Sequence, residues 1–210
     1  MTTDASAGPA AYPALADTPA KRARWWTELE PQWRAAFSQA FFRHAAQPTP
    51  EELESLWQTR VLRLVGPRAP YPSLTFELTN CSGLAGMQNL ETLVLTHHQL
   101  EHLGQLGQLT QLRSLFVNNN AILTLQGIEP LTQLEQLYAQ VNRLESIEAV
   151  GNLLKLRELY VSLNPIKTLS GLTRQHALAM KQFVCLPSEH LSDRIIMPLE
   201  RKLGIRFRSL

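Results

Sequence analysis

Residues 90–100 read LETLVLTHHQL, 112–122 LRSLFVNNNAI, 134–144 LEQLYAQVNRL and 156–166 LRELYVSLNPI. The four segments follow one another at a period of 22 residues without a slip. Leu90, Leu112, Leu134 and Leu156 open them. Three residues on stand Leu93, Leu115, Leu137 and Leu159; five on stand Leu95, Val117, Ala139 and Val161. Eight on come His98, Asn120, Asn142 and Asn164, and ten on Leu100, Ile122, Leu144 and Ile166. The remainder of each period keeps the register through Leu103, Leu125, Ile147 and Leu169, then Leu106, Ile128, Val150 and Leu172. A fixed period of this length marks a stack of identical structural units.

Each position then has a physical role. Positions three and five alternate on a short strand and point to one side, inward. One unit cannot bury its own leucines, so stacked neighbours complete the core. The Asn120, Asn142 and Asn164 column follows the strand, where side-chain amides satisfy backbone groups that the turn leaves unpaired. His98 breaks that column in the first full unit, which predicts a less tightly held turn there.

The spacing matches the leucine-rich-repeat signature L-x-x-L-x-L-x-x-N-x-L. The chain resembles the 22-residue subtype found in internalins and in a regulatory subunit of protein phosphatase 1, over about residues 68 to 186. The resemblance implies an α/β solenoid with a curved parallel β-sheet on its concave face. It carries no activity, and it implies an adaptor or regulatory-subunit role.

Around this core the sequence predicts caps, because an open solenoid would expose its leucines at both ends. Leu78, Cys81, Leu84 and Met87 echo the second half of the repeat ahead of Leu90. Thr18-Pro19 opens a helix to about Leu29, and Pro31 a second carrying Trp33, Ala36, Phe37, Ala40 and Phe41 on one stripe. Thr49-Pro50-Glu51-Glu52 starts a third in capping-box form, ending near Trp57, and residues 61–65 alternate as a strand does. The aromatic cluster of Trp25, Trp26, Trp33, Phe37, Phe41 and Phe42 reads as the core of this cap, with a docking surface as the alternative. After Leu172 the register breaks, and Met180, Phe183 and Cys185 restore a strand two residues late. Residues 192–203 read as a helix despite Pro198, stopped by Gly204, with a strand at 205–207 to follow. The division expected is a flexible tail at 1–18, an N-terminal helical cap at 19–60, the solenoid at 61–186 and a helix-containing C-terminal cap at 187–210.

The residues between the inward leucines face outward on the concave side. The column at position four reads Val94, Phe116, Tyr138, Tyr160 and Val184; at two, Thr92, Ser114, Gln136, Glu158 and Gln182. At six it reads Thr96, Asn118, Gln140 and Ser162, and at seven His97, Asn119, Val141 and Leu163. Only Glu158 among these is charged. An apolar and aromatic rail flanked by amides and hydroxyls suits a protein or peptide partner, because Tyr and Phe bring contact area at little rotamer cost. The candidate contacts are Val94, Phe116, Tyr138, Tyr160, Asn118, Gln140, Gln136, Glu158, His97 and Asn119. Strands about 4.8 Å apart make the rail about 19 Å long, enough for an extended segment of about six residues. Cross-strand ring pairs also stabilise a sheet with no ligand at all. A homodimer interface and the chain's own N-terminal tail are further occupants.

Other function classes find little support. The formal net charge is +2 and no basic block interrupts the repeats, so nucleic-acid binding rests only on Lys21, Arg22, Arg24 and the C-terminal Arg201, Lys202, Arg206 and Arg208. His97, His98 and His102 lie close together, but the pattern places no carboxylate or thiol to complete a metal site. Neither a nucleophile elbow nor a phosphate-cradling glycine loop is present, so no enzyme activity, cofactor or metal is expected. The first twenty residues lack an apolar h-region, and the chain has no apolar run of about 20 residues. With two cysteines and no C-x-x-C pair, the cytoplasm is the expected location.

Overall fold

The structure is a computed structural model describing residues 17–209, with side chains through Arg206. Residues 1–16 of the expected tail lie outside the described residues. Seven strands form one parallel sheet in strict chain order. They are β1 (Val61–Val65), β2 (Thr92–Thr96), β3 (Ser114–Phe116), β4 (Gln136–Tyr138), β5 (Glu158–Tyr160), β6 (Gln182–Leu186) and β7 (Phe207–Ser209). Sequential parallel order follows from the period: each unit turns once and lays its strand beside the last. The partners Leu93, Leu115, Leu137 and Leu159 stand in register at 22-residue steps. Between β5 and β6 the step lengthens, with Glu158 beside Gln182, because the helix α4 (Arg174–Ala179) replaces the tighter turn of the other units.

The leucines fill a single core. Every residue at positions zero, three and five of the four full repeats is fully buried. At about 25 cal/mol per Å² of apolar area removed from water, this stack is the dominant favourable contribution. Short 3₁₀ turns at Gly104–Gln108 and Glu148–Asn152 return the chain on the opposite side, burying Leu106 and Val150.

The asparagine column works as a ladder. The Asn142 amide donates to the carbonyls of Val117 (3.0 Å) and Ala139 (3.1 Å), and its oxygen accepts from Ile122 N–H at 3.0 Å. Asn164 repeats this with Ala139, Val161 and Leu144 N–H. Each asparagine thus ties its own unit to the one before. At His98 the imidazole does the same job by other means. Its Nδ1 accepts from Leu78 N–H at 3.2 Å and its Nε2–H donates to the Leu64 carbonyl at 3.1 Å. The turn expected to be looser is therefore fully bonded, and His98 is completely buried.

At the N-terminal end, helices α1 (Pro19–Glu28), α2 (Pro31–Phe37) and α3 (Pro50–Trp57) close the core. Thr18 and Thr49 cap α1 and α3 as the sequence predicts, Thr49 with the complete capping box. The second helix stops at Phe37 and widens into a π-helical turn over Ser38–Phe42, so Ala40 and Phe41 are only half-buried. Of the aromatic cluster Trp26, Trp33 and Phe37 are buried, while Trp25, Phe41 and Phe42 are half-buried and pack against the same core. Trp33 donates to Asn80 at 3.1 Å and its indole lies so close over Gly83 that a Cβ there would come within 2.2 Å. Asp17 is held by Arg22 at 2.6 Å. At the other end, α5 (Asp193–Leu203) runs through Pro198 and is stopped by Gly204 in the left-handed conformation, after which β7 joins the sheet.

Candidate functional site

The register sets Arg63, Val94, Phe116, Tyr138, Tyr160 and Val184 side by side across β1 to β6. The three rings stack. Phe116 and Tyr138 lie 4.8 Å apart at 31°, and Tyr138 and Tyr160 lie 4.3 Å apart at 13°. All three are half-buried. Such ring pairs contribute about 0.5–1.5 kcal/mol beyond their area burial, and each ring fixes the rotamer of the next. Val184, read from the sequence as the outward far end of the rail, is instead buried, since β7 pairs along its other side. At the near end the rail gains Arg63, exposed and without an ion pair among the described residues.

Polar groups beside the rings are bonded to one another. Tyr138 donates its hydroxyl to Glu158 Oε2 at 2.6 Å, and the same oxygen accepts from Gln136 Nε2 at 3.1 Å. Ser114 Oγ donates to Gln136 Oε1 at 2.7 Å. Burial, then the hydrogen bond to Glu158 and that carboxylate's charge, keep the Tyr138 phenol protonated well above its ordinary range. The chain from Ser114 to Tyr138 thus locks four of the sequence-predicted positions into one rigid patch.

Beyond position four the sequence reading needs correction. The central strands end at Phe116, Tyr138 and Tyr160, so positions six and seven belong to the turn that follows. At six, Asn118 and Gln140 are half-buried while Thr96 and Ser162 are buried rather than outward-facing. Gln140 Oε1 and Ser162 Oγ, both buried, have no hydrogen-bond partner among the described residues. At seven, His97, Asn119, Val141 and Leu163 all adopt the left-handed conformation, with φ of 62°, 58°, 56° and 57°. The interstrand bonding passes through them, from Asn119 N–H to the Gln140 carbonyl and from Val141 N–H to the Ser162 carbonyl. Asn and His enter this region readily; for an ordinary side chain it costs roughly 1–2 kcal/mol, more for a β-branched one. Val141 is 41% exposed and Leu163 49%, so burial does not offset that cost. His97 has its protonation disfavoured by burial and by Arg68, and among the described residues no three potential metal ligands come together.

One column was missed in the sequence although its signal was there. Position one alternates Glu91, Arg113, Glu135 and Arg157 at the 22-residue period, and Lys181 follows. Glu135 pairs with Arg113 at 2.9 Å and with Arg157 at 3.4 Å. The Lys181 ammonium has no ion pair among the described residues. With Ser114, Gln136 and Glu158 these side chains line a cleft of about 310 Å³ at the strand N-termini.

No protein-family model matches the chain, and no curated protein matches it. Among solved structures it is similar to internalin C2 of Listeria monocytogenes, at a TM-score of 0.50 and 26% identity over 58% of this chain and 50% of that one. The chain has the leucine-rich-repeat fold. A leucine-rich-repeat protein of Leptospira interrogans aligns over 76% of this chain and 46% of its own at a TM-score of 0.50 and 19% identity, a likeness of fold. The chain spans about half the length of the structures it matches. Both named neighbours are leucine-rich-repeat proteins, and no catalytic family is indicated. Among the described residues no helix is long and apolar enough to cross a membrane. A leucine-rich-repeat sheet leaves its chemistry to the outward columns, and here these offer stacked rings, amides and a cleft with excess positive charge.

Proposed function

We propose that this protein is a non-catalytic binding module that holds a partner protein or peptide on the concave face, in the manner of an adaptor or regulatory subunit. The observation that carries the reading is the Phe116, Tyr138 and Tyr160 stack. Its rings are stacked on one another before any partner arrives, which limits the side-chain entropy lost on binding, and aromatic anchors of this kind dominate interface energetics. Val94, Gln136, Glu158, Asn118, Gln140, His97 and Asn119 surround it as the remaining contacts. Cys81 and Cys185 are free and buried, which suits a reducing compartment such as the cytoplasm.

Hydrogen exchange with a captured partner tests this. Added protection over residues 114–119, 136–141 and 158–163 supports the reading. Protection confined to the helical cap or to residues 187–209 contradicts it.

A further inference from the structure

Three features of the concave face fall on the same two or three repeats and form one line. Arg157 and Lys181 sit at position one, at the strand N-termini. Tyr138 and Tyr160 stack at position four, and Val141 and Leu163 stand exposed at position seven. The line runs parallel to the strands, across the direction of the aromatic rail. From position one to position seven is six residues, at most about 20 Å at strand rise, since the strands end at position four.

The two ends differ in chemistry. At one end Glu135 is shared between Arg113 and Arg157, and Lys181 has no ion pair among the described residues, which leaves positive charge in excess. Glu158 lines the same cleft, its Oε2 accepting from the neutral Tyr138 and Gln136, so Arg113, Arg157 and Lys181 face the two carboxylates of Glu135 and Glu158 and the excess is one positive charge. At the other end, two apolar side chains on neighbouring repeats are exposed from backbone positions that disfavour them. Asn119 fills the same turn one repeat earlier, so the turn itself does not require an apolar residue. Strain held at an exposed apolar pair is the kind of local cost that functional surfaces retain.

We infer that the partner presents an extended segment lying along the strands, with a carboxylate at Arg157 and Lys181, an apolar or aromatic side chain on Tyr138 and Tyr160, and a second apolar side chain on Val141 and Leu163. This rests on the reading of the concave face as the binding surface and adds the direction and chemistry of what binds. The charge complementarity selects the occupant: one anionic end and an apolar remainder. A single extended chain covers a track of this width and length.

The test is selection from a random twelve-residue linear peptide library on the full chain. Binding of an enriched peptide is then measured to wild type and three variants. The enriched sequences are expected to carry Asp or Glu about six positions from an aliphatic or aromatic residue, with another apolar residue midway. Arg157→Gln with Lys181→Gln is expected to weaken binding at least tenfold and to flatten its salt dependence. Val141→Asn with Leu163→Asn, which relieves backbone strain and so keeps the fold, is expected to weaken it at least tenfold as well. Peptides lost on Tyr138→Ala with Tyr160→Ala yet indifferent to both other pairs overturn the strand-parallel acidic segment and leave the concave site standing. Peptides indifferent to all three pairs, or no enrichment at all, overturn both.

Discussion

Asn119 and Val141 occupy the same left-handed turn in successive repeats, at φ of 58° and 56°. One residue type suits that backbone and the other does not. Val141→Asn should therefore stabilise the protein by about 1 kcal/mol, and Asn119→Val should destabilise it by a similar amount. Urea unfolding midpoints of the two variants check this. A destabilising Val141→Asn would mean that the valine side chain packs in a way its exposure does not suggest.

Asn142 carries the interior counterpart of that turn. Its amide donates to the Val117 and Ala139 carbonyls, which also accept from Asn120 and Asn164, and its oxygen accepts from the buried Ile122 N–H. Asn142→Ala should cost about 1–3 kcal/mol, the cost of leaving the Ile122 N–H without its acceptor. Loss of less than 1 kcal/mol in urea unfolding would show that water takes over the amide's role.

Burial lowers the His98 pKa below the ordinary 6.5 against the opposing bond to the Leu64 carbonyl, and Nδ1 accepts from Leu78 N–H only while unprotonated. His97 is shifted in the same direction. In the unfolded chain both take up a proton near pH 6.5, whereas in the folded chain they do so only at lower pH. Stability is thus fully present above about 6.5, falls as the pH drops through that value and levels off below the folded pKa. Unfolding at pH 7.5, 6 and 5 should show this decline, and His98→Asn should make it shallower. A wild-type stability constant over that range contradicts the assignment.

Tyr138 should titrate above the ordinary tyrosine range in an ultraviolet pH titration, with that component absent in Tyr138→Phe. The same variant loses the half-buried bond to Glu158 and should cost about 1 kcal/mol.

The sequence made the solenoid legible because a 22-residue period constrains every position at once. The strand register, the buried leucines and the column of rings all stand where the period puts them. What escaped it lies where the strands stop. His97, Asn119, Val141 and Leu163 read as strand positions because alternation was carried too far, but β2 ends at Thr96, the three-residue strands β3 to β5 end at position four, and the chain turns left-handed at position seven. Arg63 joins the rail from a strand 31 residues before β2, outside the period altogether. Val184 follows the longer β5-to-β6 step and is enclosed by β7, a strand whose position at the sheet edge no repeat announces. The π-helical turn after Phe37 has no marker in the residues.

The most direct measurement is an affinity pull-down from native lysate read by mass spectrometry. It compares wild type with a Phe116→Ala, Tyr138→Ala, Tyr160→Ala variant whose fold is verified by circular dichroism. A partner retained by wild type and lost by the variant is the predicted result. A partner retained equally by both would place the binding surface elsewhere and contradict the central claim.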